Sequence, residues 1–176
     1  MPEREKSAEE VKREVDQLKM KIEVLKEQAR EQGEAFSSLD EDQLAKKVKG
    51  ETSKSPFIFA QSWTSGTSRG ATAYYTVHVR NPDPNGYFPF YATIFFGLGN
   101  FFGTSEAWAG RDRRWPELSS DRTFLSANSD HSFTFNYTIP SDLPLGTYNG
   151  NSVLWKGDWH DTGDSFDRGS FDVKLS

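Results

Sequence analysis

The hydrophobic pattern of the chain changes its period near residue 55. Before that point, apolar residues recur every three or four positions among Glu and Lys, which is the spacing of an amphipathic helix. After it, apolar and polar residues alternate one by one, which is typical of half-buried strands. Nine of the eleven lysines lie before residue 55, and thirteen of the fourteen phenylalanines lie after it. The sequence therefore predicts a helical stalk over residues 1–50, a linker over 51–55 and a β domain over 56–176.

The stalk carries a seven-residue repeat of apolar positions. Ser7 and Glu10 have the spacing of a capping box that starts a helix, and Gly33 is typical of the residue that follows a helix end. Within about 7–32 the repeat predicts a coiled coil, because β-branched residues at a with Leu at d favour a parallel two-stranded coil. The predicted oligomerisation residues are Val11, Val15, Leu18, Ile22 and Leu25. Two alternatives remain open: an amphipathic helix packed on its own β domain or on another partner, and a solvated charged tail.

A second, shorter helix is predicted after the first. Ser38 and Glu41 have the spacing of another capping box, and Gly50 is a stop signal. These signals predict a helix over about 40–48. The seven-residue pattern also assigns Phe36 and Leu39 to apolar positions of the stalk.

The β domain contains seven strand-like runs separated by turn residues. Phe133, Phe135 and Tyr137 alternate with polar residues, and the other runs repeat this pattern. Such alternation favours antiparallel strands in two sheets packed face to face. The predicted fold class is mainly β, an antiparallel immunoglobulin-like sandwich of about seven strands behind the helical segment. The runs are 57–63, 71–81, 90–98, 122–127, 132–139, 147–156 and 170–175.

Three of these runs resemble parts of a known family. The segment from Asp142 to Tyr148 resembles the tyrosine corner before strand F of immunoglobulin-like sandwiches, and residues 132–139 resemble strand E. Residues 74–81 resemble strand B of prokaryotic immunoglobulin-like domains of the adhesion-related, CARDB-like kind. The resemblance covers about residues 56–176 and lacks the cysteine pair of antibody domains. It implies a non-enzymatic module, since such sandwiches mostly bind or space.

The predicted ligand-binding surface lies in a long loop over residues 101–118, together with a loop around Trp159. Trp and Arg are the usual anchors of protein interfaces, and exposed Trp also stacks on sugars. A loop folded back so that its Trp residues cap the core is the structural alternative. The candidate residues are Trp108, Arg111, Arg113, Arg114, Trp115 and Trp159.

Four aspartates recur at a spacing of three in the loop before the last strand: Asp158, Asp161, Asp164 and Asp167. Oxygen-rich loops can hold Ca²⁺, so they form a weak calcium candidate. Asp is also a common turn residue, which makes a solvated loop the main expectation. His78, His131 and His160 are scattered, and we predict no metal ligation by them.

The segment Gly66–Gly70 matches the G-x-S-x-G pattern of serine hydrolases. That pattern needs a helix directly after the serine, whereas the residues that follow Ser68 read as a strand. We therefore predict a hairpin loop here and no catalytic residues.

Charge and composition argue against several classes of function and of site. The net charge of −5 is spread over both segments, which argues against a nucleic-acid partner. The absence of cysteine excludes disulfides and thiolate metal sites. Since the first ten residues are charged and no apolar run is long enough for a membrane span, we expect a soluble, cytoplasmic protein without a cofactor, with export by another route left open.

Taken together, these patterns predict a non-enzymatic binding or assembly module. The β sandwich would be displayed for protein–protein interaction by self-association, or by binding a protein partner, through residues 7–32. A carbohydrate-binding module that uses exposed Trp residues is one alternative. A structural subunit that docks into a larger assembly through its N-terminal helix is the other.

Overall fold

Two helices and ten strands make up the described part of the computed structural model, which covers residues 6–49, 56–83, 88–98, 118–120, 123–156 and 165–176. Helix α1 spans Ala8–Glu31 and α2 spans Glu41–Lys49. The strands are β1 Ala35–Ser38, β2 Phe57–Trp63, β3 Gly66–Thr67, β4 Thr72–Asn81, β5 Phe88–Leu98, β6 Leu118–Ser119, β7 Thr123–Leu125, β8 Ser129–Thr138, β9 Gly146–Lys156 and β10 Ser165–Leu175. The chain is therefore mainly β, as predicted.

The strands form two sheets that share one core. The first sheet has the order β1-β2-β4-β8, and the second has the order β3-β10-β9-β5-β6, with β7 also paired to β5. Among the described pairs only β3–β10 is parallel. Tyr75 and Val77 of β4 lie in the same buried cluster as Leu154 of β9 and Phe171 of β10. The rings of Tyr75 and Phe171 stack with centroids 4.5 Å apart, so the inner faces of the two sheets are in contact.

Each of the seven predicted runs contains a strand. Three further strands, β1, β3 and β6, were not predicted. Two of them have only two residues and carry no periodicity that could reveal them. The sequence pattern does not predict β1, because it places Phe36 in the seven-residue repeat of the stalk. In the structure Phe36 pairs with Ser62 at the edge of the first sheet.

The ends of α1 follow the predicted signals. Ser7 Oγ accepts a hydrogen bond from the Glu10 backbone N–H at 3.1 Å, so Ser7 is the N-cap. At the other end Gly33 has φ +71°, and its N–H donates to Arg30 O. Glu34 N–H donates to Ala29 O at 2.9 Å, which completes a Schellman motif. The prediction that Gly33 ends the helix is confirmed.

The cap of α2 differs from the prediction. Asp40 Oδ1 accepts from Gln43 N–H at 2.8 Å, and Gln43 Oε1 accepts from Asp40 N–H at 2.9 Å. These two bonds are the reciprocal pair of a capping box. The assignment of Ser38 and Glu41 to that box was wrong, because Ser38 belongs to β1 and Asp40 stands at the N-cap position.

The apolar stripe of α1 packs within its own chain, and the predicted coiled coil is not confirmed. Val15, Leu18 and Ile22 are buried in one cluster with residues of β2 and α2. Leu25 and Val11 are partly buried at its margin. The members contributed by β2 and α2 are Leu44, Val48, Phe57, Phe59 and Ala60.

The sequence of β2 contains the signal for this packing. Its burial pattern is continuous, with six of the seven residues from Phe57 to Trp63 buried. A strand with one solvated face alternates, whereas a strand covered on both faces reads as a continuous apolar run. The run Phe57-Ile-Phe-Ala60 therefore indicated that something covers the outer face of the first sheet, and α1 and α2 do so.

The tyrosine corner is present. Tyr148 is buried, and its hydroxyl donates a hydrogen bond to the carbonyl oxygen of Pro144. This contact joins the turn before β9 to the strand itself, as the sequence predicted.

Candidate functional site

The residues predicted to bind a ligand lie outside the described residues, and their role stays a prediction. They are Trp108, Arg111, Arg113, Arg114, Trp115 and Trp159. The same holds for Asp158, Asp161 and Asp164 of the calcium candidate and for His160.

Asp167, the fourth aspartate of the calcium candidate, is described and bonded within the protein. Its Oδ2 accepts from the Ile58 N–H of β2 at 2.8 Å, and its Oδ1 accepts from the Arg168 N–H at 2.9 Å. Asp167 therefore connects β10 of the second sheet with β2 of the first sheet.

A groove with a volume of about 590 Å³ lies between α1 and α2. Ala8, Val11, Val15 and Ala45 provide its apolar lining. Charged side chains of both signs complete the lining: Lys6, Lys12, Asp16, Glu41, Asp42, Lys46 and Lys49. An apolar floor with a charged rim is the composition of many protein contact sites. We call this surface the helical groove.

A network of ion pairs holds α1 on the first sheet. Arg80 of β4 donates from Nη2 to Glu14 Oε1 of α1 at 2.8 Å and from Nη1 to Asp130 Oδ1 of β8 at 2.6 Å. Lys6 Nζ binds the other oxygen of Glu14 at 2.8 Å, and Lys21 Nζ binds the other oxygen of Asp130 at 2.9 Å. Opposite charges thus alternate along five side chains. We call them the helix–sheet network.

The network is mostly shielded from solvent. The side chains of Arg80, Glu14 and Lys6 are 10%, 12% and 5% exposed. Burial lowers the pKa of Lys6 against the opposing effect of Glu14, while the bonds to Asp130 and Glu14 outweigh burial and raise the pKa of Arg80. Breaking one pair would leave a poorly solvated charge, so moving α1 away from this position on the sheet would carry an energetic cost.

His78 lies beside this network without belonging to it. Its Nδ1 is 2.6 Å from Ser132 Oγ, and its ring centroid is 6.1 Å from that of Phe59. Burial, reinforced by the charge of Lys21 and opposed by that of Asp130, lowers the pKa of His78 to about 4. The imidazole is therefore neutral at pH 7.

The other described histidine, His131, lies edge-on to Phe133 with centroids 4.6 Å apart, and burial lowers its pKa. Among the residues described, no group of three or more His, Asp or Glu side chains is placed to hold a metal ion.

A second polar network is buried between the sheets and was not predicted. Tyr75 OH donates to Gln61 Oε1 at 2.6 Å and lies 2.7 Å from Ser152 Oγ. Gln61 Nε2 in turn donates to Ser170 O at 2.7 Å and to Ser37 Oγ at 3.1 Å. Burial raises the pKa of Tyr75, so the phenol stays protonated and can donate. The available sequence signal was Gln61, a polar residue directly after the apolar run of β2. The network joins β1, β2, β4, β9 and β10. We therefore interpret it as a structural contact between the two sheets.

The structure around Ser68 differs from the strand–serine–helix turn of serine hydrolases, as the sequence predicted. Gly66–Thr67 forms β3, and β4 begins at Thr72, so a strand and not a helix follows. Ser68 O accepts from Ala71 N–H at 3.1 Å in the intervening turn.

Neither described helix has both the length and the apolar composition that crossing a bilayer requires.

No protein-family model matches the sequence, and no curated protein matches it. The fold is similar to several solved structures. The CARDB domain of a Pyrococcus furiosus protein, solved with di-metal ions, is 18% identical over 69% of this chain and 86% of its own, with a TM-score of 0.43. The C-terminal domain of Wzt is 15% identical over 81% and 78%, with a TM-score of 0.49. A Niemann-Pick type C2 protein from Japanese carpenter ant is 9% identical over 81% and 99%, with a TM-score of 0.48.

One of these structures is a CARDB domain, the kind of domain that the sequence resembles. Identities of 18% and below with TM-scores below 0.5 transfer no activity, ligand or partner to this chain. The architecture described above rests on the strand pairing of the chain itself.

Proposed function

We propose that this protein is a non-enzymatic assembly module, an immunoglobulin-like sandwich that self-associates through its helical face and thereby displays several copies of its β domain. The observation that carries the proposal is the helical groove. It combines an apolar lining from Val11, Val15 and Ala45 with charges of both signs at its margin. Multiple copies would convert weak binding by one β domain into avid binding.

The helices are suited to this role because packing and ion pairs hold them on the surface of the β domain. Leu18 and Leu44 lie in a shared apolar cluster, and the helix–sheet network ties α1 to β4 and β8. A groove between elements held in this way needs little reordering when a partner enters, which lowers the entropic cost of association.

The proposed contact surface, the helical groove, differs from the coiled-coil surface that the sequence predicts. Val15, Leu18 and Ile22 are 4%, 2% and 7% exposed, so a coiled coil through them would require α1 to leave the sheet. Val11 and Val15 of the predicted set line the helical groove, and Val11 is only partly buried, so it could contact a partner while α1 stays on the sheet. The alternative hypothesis is that the same groove binds a different protein.

Light scattering coupled to size exclusion, on the full chain over a range of concentrations, tests the proposal. We expect a mass above that of one chain, and we expect Ala45→Arg to reduce it because the introduced side chain fills the groove. Gln17→Arg is the matched control, since it adds the same group to an exposed position of α1 outside the groove. A full chain that stays monomeric at every concentration contradicts self-assembly.

A further inference from the structure

The charges on the groove side of α2 are ordered along the helix. Glu41 and Asp42 occupy the first turn, whereas Lys46 and Lys49 occupy the last turn. Ala45 lies between them and also lines the groove. Because an α-helix rises 1.5 Å per residue, the acidic and basic ends are about 12 Å apart. One short helix thus carries a negative end, a small apolar centre and a positive end on the same side.

Such a stripe is complementary to itself when it is reversed. If two copies of α2 lie antiparallel, the acidic end of each faces the basic end of the other. A two-fold axis produces this arrangement automatically, because residue i then contacts residue j and residue j contacts residue i. In a parallel arrangement like charges would face each other, which opposes association.

We propose that the occupant of the helical groove is a second copy of this chain, docked about a two-fold axis near Ala45 with the two α2 helices antiparallel. In this dimer Asp42 faces Lys46 of the second copy, and Glu41 faces its Lys49. The inference rests on the proposed assembly function and specifies its partner and its geometry.

Other groups in the groove agree with a self-complementary contact. Lys12 and Asp16, one turn apart on α1, place both signs on the opposite wall. Ala45 is small, so the two helix backbones can approach closely at the axis. Glu41 makes an ion pair with Lys19 at 3.4 Å within the chain, but both side chains are about half exposed or more, at 63% and 47%. An exposed pair of this kind is weak and competes little with an interface contact.

Charge reversal tests the arrangement on the full chain. Lys46→Glu places glutamate opposite Asp42 of the second copy at two symmetric positions, and Asp42→Lys places two lysines opposite Lys46. We expect each variant alone to weaken the dimer at least about tenfold, measured by light scattering and sedimentation. An equimolar mixture of the two variants should form a heterodimer, because both contacts then join opposite charges. The double variant Asp42→Lys/Lys46→Glu should dimerise by itself.

Lys47→Glu is the matched control. It makes the same charge change in the same turn of α2, with the same effect on the helix dipole, at a residue that does not line the groove. We expect it to leave the dimer unchanged. Circular dichroism of every variant confirms that the helices remain folded.

Three outcomes overturn the inference. An oligomer that is insensitive to both single variants shows that assembly uses another surface, so the proposed function stands and the α2 contact falls. Loss of the dimer in both variants without recovery in the mixture contradicts the antiparallel arrangement. A monomeric unmodified chain contradicts both the inference and the self-assembly on which it rests.

Discussion

Arg80 of β4 and Glu14 of α1, 66 residues apart in the sequence, are joined by a hydrogen bond of 2.8 Å between Arg80 Nη2 and Glu14 Oε1. Both side chains are nearly buried, at 10% and 12% exposed. This pair is the centre of the helix–sheet network, and it shows that α1 is held against the first sheet by polar contacts as well as by its apolar stripe. The helix is therefore a covering layer of the domain.

The first prediction concerns this pair. Glu14→Gln keeps the shape of the side chain but leaves the charges of Arg80 and Lys6 without their common counterion. Because these groups are poorly solvated, we expect a loss of about 2–3 kcal/mol in the free energy of unfolding. Urea denaturation measures the difference. Glu23→Gln, at an exposed position of the same helix, is the control and should change stability by less than about 0.5 kcal/mol. Equal effects of the two substitutions would show that the network contributes nothing.

The second prediction separates packing within the chain from a coiled coil. Leu18 is 2% exposed in the cluster with β2 and α2. Leu18→Ala should lower the free energy of unfolding by about 2–5 kcal/mol through the lost transfer energy and the cavity. The mass of the folded protein in light scattering should stay the same. Val24→Ala on the exposed face of α1 should be close to neutral, since Val24 is 57% exposed. Dissociation by Leu18→Ala, with the fold retained, would favour the coiled coil instead.

The third prediction concerns a close approach in the second sheet. Gly150 of β9 is paired with Phe171 of β10, whose ring lies over it. A Cβ at position 150 would be 2.2 Å from Phe171 Cζ, so the ring would have to leave its stack on Tyr75. We expect Gly150→Ala to destabilise the domain by at least about 1–3 kcal/mol, as overpacked cores do.

Gly66→Ala is the matched control for that substitution, because a Cβ at Gly66 meets nothing within 4 Å. Thermal unfolding of the two variants measures the contrast. A Gly150→Ala protein as stable as Gly66→Ala would mean that the Phe171 ring has room to move aside.

The fourth prediction is a pH dependence caused by His78. Its pKa is lowered from 6.5 to about 4 in the folded protein, first by burial and then by Lys21, against the opposing effect of Asp130. Between these two values the unfolded chain binds a proton that the folded chain does not, so stability falls as the pH decreases from about 6.5 to about 4. Between about pH 7.5 and about pH 5 the loss from His78 should be about 2 kcal/mol.

His78→Asn tests this pH dependence, because an amide can still bond Ser132 but does not titrate. Urea denaturation at the two pH values should give a smaller difference for the variant than for the unmodified protein. The comparison cancels the contribution of the carboxylates, which both proteins share. An unchanged difference would show that His78 does not cause the acid sensitivity.

The local features of this chain could be read from neighbouring residues. The change of period near residue 55, the strand runs, the Ser7 cap, the Gly33 helix end and the Tyr148 corner each depend on contacts within a few positions. Such features follow from side-chain alternation and turn chemistry, which are written into short segments. The same reasoning predicted a ligand-binding loop over residues 101–118; of these residues only Leu118, in β6, is described, so the loop and its role remain predictions.

Only the tertiary structure decided what covers the apolar stripe of α1. Val15, Leu18 and Ile22 suit a second helix and an apolar strand equally well, because the hydrophobic effect is not directional. The choice of the chain's own β2 depends on Phe57 and Phe59, which lie beyond the next helix, and on the pairing of Glu14 with Arg80 across 66 positions. The helical groove arises from that same packing, since its two walls are separate segments that only the folded chain brings together.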